Sequence, residues 1–92
     1  MSETYARAHG HTPLACILAT AETEGPVPVT ATRTVLSRAG LPLADVGTVA
    51  GNEPFAAQIL AYCTELGPEP ERMNPHGGSI ALGEPYGAVG AD

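Results

Sequence analysis

Asn74-Pro75-His76-Gly77-Gly78-Ser79-Ile80-Ala81-Leu82-Gly83-Glu84-Pro85-Tyr86-Gly87-Ala88-Val89-Gly90-Ala91-Asp92 is the stretch on which the fold assignment turns. Five glycines and two prolines fall within these nineteen residues, around one apolar run. Glycine lets backbone come close to backbone or ligand, and proline fixes φ. A segment punctuated this way builds a shaped pocket wall. The run Ser79-Ile80-Ala81-Leu82 is expected to bury a short turn or strand beneath it.

Working outward, Asn52-Glu53-Pro54-Phe55-Ala56-Ala57-Gln58-Ile59-Leu60-Ala61 opens a predicted helix from about Pro54 to Leu66, stopped by Gly67-Pro68. Phe55, Ile59, Cys63 and Leu66 recur at helical spacing and are expected to face a core. Asn52 is a good cap type for this helix. Further upstream, Pro28 suits the first turn of a helix reaching about Ala39, with Gly40 as a left-handed stop and Val35, Leu36 and Ala39 inside. The continuous apolar run Leu14-Ala15-Cys16-Ile17-Leu18-Ala19 reads as a buried strand, and Val46 to Val49 as a second. Pro68 to Met73 reads as a charged connector. Residues 1–12 are polar and read as a flexible leader, leaving 13–92 as a single domain. The expected fold class is α/β: strand, helix, strand, helix, joined by a right-handed crossover. Two strands make a poor sheet, so its completion by a partner, either another copy of the chain or another polypeptide, is expected.

Three of these segments resemble, in order and spacing, the thiolase family of acyl-CoA acyltransferases. The tail is similar to the family's N-x-N/S-G-G-A-I-A-L-G-H-P-x-G-A-S-G-A-R, and Asn52 to Ala61 to its N-E-A-F-A-x-Q-x-L-A. Gly25-Pro26-Val27-Pro28 with Val35-Leu36-Ser37-Arg38-Ala39-Gly40-Leu41 is similar to G-P-V-P-A…A-L…A-G-L. The resemblance covers roughly residues 13–92 and implies the front part of a thiolase C-terminal domain.

It also implies roles. Asn52 matches the asparagine that holds a water in an oxyanion hole. Glu84 stands where the family carries a catalytic histidine, and His76 where it often has Asn or Ser, so His76 is a candidate substitute imidazole. An ionised glutamate only accepts hydrogen bonds, whereas that histidine donates one to the thioester oxygen. Glu84 could serve only if burial kept it protonated or if it acted as a base on a carbon acid. Phe55, Gly77, Gly78, Gly83, Pro85 and Gly87 are the implied substrate-binding wall, and Asp92 replaces the family's closing arginine. The family's nucleophilic and second acid/base cysteines belong to motifs outside these residues, and Cys16 and Cys63 have the wrong neighbours to replace them.

Composition narrows the function classes. The formal charge is −6, there is no lysine, and four arginines are scattered. A phosphate backbone would be repelled, which argues against nucleic-acid binding. The two cysteines lack metal spacing and fall in apolar surroundings, where buried free thiols are expected. No metal or cofactor is expected beyond acyl-CoA as ligand. No signal-peptide pattern or membrane-length run is visible, so a cytoplasmic location is expected. Only four aromatic residues occur, and alanine and glycine supply much of the apolar count, so the core should be thin. A chain this short buries only about 60–65% of its extended surface.

Two functions follow as expectations. The first is a thiolase-like fragment or subunit lending oxyanion and pocket-loop residues to a site completed by another chain. The second is a catalytically inactive module that binds an acyl thioester or scaffolds an assembly. A stand-alone enzyme using Glu84 as a carbon-acid base ranks behind both.

Overall fold

The computed structural model describes residues 1–25 and 28–87. Pro26 and Val27 of the Gly-Pro-Val-Pro motif, Gly90, and Asp92 with its change of charge lie outside the described residues.

Four α-helices occur among the described residues. Helix α1 (Glu3–Ala8) occupies the polar leader, where no helix is expected from the pattern. Ser2 starts it by accepting the Tyr5 N–H through its hydroxyl at 3.2 Å, and an exposed Glu3–Arg7 pair spans one turn. Tyr5 stacks on His9 with ring centroids 4.0 Å apart. Helix α2 (Val29–Ala39) and helix α3 (Ala56–Leu66) fall close to the expected bounds. Each ends on a glycine in the left-handed region, Gly40 at φ 67° and Gly67 at φ 66°. Helix α4 (Ser79–Leu82) is a single turn inside the glycine-rich tail.

Helices α2 and α3 pack together. Val29 and Tyr62 are buried there. The Tyr62 hydroxyl meets Thr32 Oγ1 at 3.1 Å, and the Arg33 guanidinium donates to the Glu65 carbonyl at 3.3 Å. Arginines also tie down the loops. Arg38 donates to the Thr20 carbonyl at 2.5 Å. Arg72 donates to the carbonyls of Ala44 and Val46 at 2.6 and 3.0 Å and pairs with Glu69 at 3.0 Å. That fixes a 3-10 turn at Leu43–Asp45 against another at Pro70–Arg72, in the segment expected to be a plain connector.

The expected strands are not formed. Leu14 to Ala19 lies outside any helix or ladder among the described residues, with Leu14, Ile17 and Leu18 at 101, 85 and 69% exposure. Among the described residues the sheet reduces to one parallel bridge, Val49 to Met73. A strand's N–H and C=O groups need a neighbour on their edge, and among the described residues no second strand lies beside Leu14 to Ala19. Cys16, read as a buried thiol, is therefore exposed, while Cys63 on α3 is half-buried. The inner face of α3 also differs: Tyr62 is its buried residue, Ile59, Cys63 and Leu66 are half-buried, and Phe55 is 70% exposed. Ser79 to Leu82 is a helical turn rather than a buried run, with Ile80 and Leu82 exposed.

Candidate functional site

The single bridge positions the site. Val49 N–H donates to the Arg72 carbonyl at 2.8 Å, and Asn74 N–H donates to the Val49 carbonyl at 2.9 Å. The ladder then continues through a side chain. The Asn74 carboxamide oxygen accepts the Gly51 N–H at 2.8 Å, and its nitrogen donates to the Gly51 carbonyl at 3.0 Å. One side-chain amide thus supplies both halves of a backbone-like rung. Asn74 sits at φ 45°, a region that asparagine tolerates better than most residues.

The second N–H of that amide donates to Glu53 Oε1 at 2.6 Å. The other oxygen, Glu53 Oε2, accepts the backbone N–H of Ile80 at 2.9 Å, so a residue 27 positions upstream caps α4. The carboxylate lies so close to Gly78 that any Cβ there would collide with it. A Cβ at 78 would push that carboxylate away from the Asn74 and Ile80 N–H groups it accepts.

Asn52 is flanked by Gly51 and Glu53, the two residues that Asn74 grips. Its carboxamide oxygen accepts the Ser79 hydroxyl at 3.0 Å. The predicted capping role is not taken: α3 begins at Ala56 behind Phe55, with no side-chain cap. Asn52 also lines a cleft of about 290 Å³ between α2 and α3, together with Thr32, Gln58, Ile59, Tyr62 and Met73. Gln58 Oε1 is buried there without a hydrogen-bond partner.

The structure thus brings Asn52 to the start of the glycine-rich segment, beside Gly78 and Ser79. Gly77 closes the preceding turn, its N–H donating to the Asn74 carbonyl at 2.9 Å. His76 is exposed in that turn, and Glu84 is exposed after Gly83. Among the described residues neither side chain bonds to Asn52. Pro85 and Gly87 lie further along the same exposed loop. Glu53 and Asn74 were missed as site residues by sequence reasoning, although both sit inside the quoted motifs. Their pairing spans 21 positions and leaves no local spacing signal. Among the described residues no group of three or more His, Cys, Asp or Glu side chains could hold a metal ion, and no helix is long and apolar enough to cross a membrane.

A family model described as "Thiolase, C-terminal domain" matches residues 11–92. The chain belongs to the thiolase family. It is 47% identical to an acetyl-CoA acetyltransferase of Escherichia coli over 97 residues, covering 99% of this chain and 25% of that protein. A 3-oxoadipyl-CoA/3-oxo-5,6-dehydrosuberyl-CoA thiolase of the same organism is 49% identical, over 98% of this chain and 24% of that protein. The fold superposes on the crystal structure of human mitochondrial 3-ketoacyl-CoA thiolase with a TM-score of 0.85 at 39% identity, covering 94% of this chain and 23% of that one. The chain therefore spans about a quarter of the length of the thiolases it matches.

Proposed function

We propose that this chain supplies the oxyanion and pocket wall of a thiolase-type acyl-CoA acyltransferase site that a second, nucleophile-bearing thiolase-like polypeptide completes. The observation that carries the reading is the Asn52–Ser79 hydrogen bond of 3.0 Å. It occupies the Asn52 oxygen and leaves the two N–H donors of the amide for another acceptor. A water held by those donors stabilises a thioester oxygen as charge develops on it. Phe55 supports a substrate-facing role, because a large apolar side chain gains nothing at a helix N-cap and here stands in the open. Phe55, Gly77, Gly78, Gly83, Pro85 and Gly87 are the proposed wall for the acyl-CoA, which is ligand rather than cofactor. Glu84 and His76 are the ionisable groups beside it, and the setting is cytoplasmic.

Completion by a partner is supported by Leu14 to Ala19, which joins no ladder among the described residues and exposes Leu14, Ile17 and Leu18. Strand addition there would give both edges a ladder. The test is copurification from the source, followed by thiolysis of acetoacetyl-CoA by the mixture. We expect turnover by the mixture alone, lost in Asn52→Ala and retained in Cys16→Ala. Turnover by this chain unaided would defeat the reading.

A second reading is favoured by one observation, the glutamate at position 84. An ionised carboxylate repels a developing oxyanion and cannot donate to it. On this reading the chain holds an acyl thioester without reacting, and Glu84→His creates no activity. Calorimetry without detectable acyl-CoA binding would remove it.

A further inference from the structure

Resting on that reading, we propose that Glu53 and Asn74 are positioning residues which set the Asn52 carboxamide for the reaction. Both neighbours of Asn52 are held by one side chain: Gly51 through two hydrogen bonds at 2.8 and 3.0 Å, and Glu53 through a third at 2.6 Å. The far oxygen of Glu53 then fixes the Ile80 N–H at 2.9 Å, in the first turn of α4. That turn begins with Ser79, whose hydroxyl sets the orientation of Asn52. The circuit is closed: bridge, Asn74, Glu53, α4, Ser79, Asn52.

The arrangement uses the chemistry of each group fully. A carboxylate offers two acceptors and no donor, matching one N–H from Asn74 and one from Ile80. An amide side chain offers two N–H groups and an acceptor, matching the Gly51 carbonyl, Glu53 and the Gly51 N–H. Replacing Glu53 by glutamine turns one of its two acceptors into a donor facing a donor. Replacing Asn74 by aspartate creates the opposite conflict. Combined, the two changes restore a donor–acceptor match between positions 53 and 74 and leave an oxygen for Ile80. Only the pairing to the Gly51 carbonyl stays broken.

The first arm of the test is nuclear magnetic resonance on the chain, following the Asn52 side-chain amide and the Ile80 N–H. Glu53→Gln should release both signals toward their unfolded positions, and E53Q combined with N74D should recover both in part. Signals of α2 and α3 should stay in place. Gly78→Ala keeps every hydrogen-bonding group yet pushes a Cβ into the carboxylate, so it should release the same two signals. The second arm is kinetics of the completed enzyme. E53Q should lower kcat roughly a hundredfold with KM nearly constant, as misplacing a reactive group does, and the double variant should regain part of it. Unchanged Asn52 and Ile80 signals in both E53Q and G78A would overturn the proposal. So would a loss confined to KM, or a double variant no better than either single one. A wild-type mixture without turnover would instead sink the functional reading, with the resonance arm still deciding whether the clamp exists.

Discussion

Asn74 shows how much one residue carries when a backbone ladder is only one bridge long. Its side chain extends the ladder, and its φ of 45° aims the amide at Gly51. Two substitutions separate these contributions. Asn74→Gly keeps the backbone conformation and loses three hydrogen bonds, so it should destabilise by about 1–3 kcal/mol. Asn74→Ala loses the same bonds and adds left-handed strain of about 1 kcal/mol. Denaturant titration reads both, and an alanine variant as stable as the glycine variant would show that φ carries no strain. Asn52 was visible at this scale, because its type and its motif both single it out. The partner of Glu53 was not visible. A carboxylate in a sequence does not announce which distant amide it meets, and here the distance along the chain is 21 residues.

At the scale of elements, the helices were legible because their signals are local. Pro28 precedes α2, apolar positions recur along α2 and α3, and Gly40 and Gly67 stop them in the left-handed region. Gly40→Ala and Gly67→Ala should each cost about 1 kcal/mol, because alanine lacks glycine's freedom there. The helical circular-dichroism signal against temperature checks this, and an unchanged midpoint would mean that these ends fray already. The strands failed for the converse reason. Leu14 to Ala19 has the composition of a buried strand, but burial and pairing are properties of a neighbour. Tyr62 on α3 lies outside the apolar stripe that starts at Phe55 in the sequence. The helix begins one residue later, and Tyr62 is the side chain that meets Thr32 on α2.

The whole molecule is loosely assembled. Its radius of gyration is 15.1 Å, against about 12 Å for a compact domain of this length. Its accessible surface is 7068 Å², against about 5,000 Å² for a folded monomer of this mass. Among the described residues only Ala6, Val29 and Tyr62 are buried apolar side chains. The thin core anticipated from the scarcity of aromatics is therefore present, and the open apolar strip at Leu14, Ile17 and Leu18 is its counterpart on the surface. Ile17→Arg should abolish copurification with a completing chain while leaving the helical dichroism of this one intact, since Ile17 touches neither α2 nor α3 strongly enough to be covered. Size-exclusion mass measurement reads the complex. An undiminished complex would move the contact elsewhere on the molecule.

By itself the sequence determined the family and the two principal helices with their stops. Motif order is written in the chain, and helices close their hydrogen bonds within about four residues. It also placed Asn52 and the glycine-rich wall among the candidate site residues. Only the tertiary structure decided that Asn74 completes the ladder by its side chain, that Glu53 caps α4, and that a Cβ at 78 would meet the Glu53 carboxylate. Those relations join residues more than twenty positions apart, and a hydrogen bond across that distance exists only once the chain has been folded back on itself.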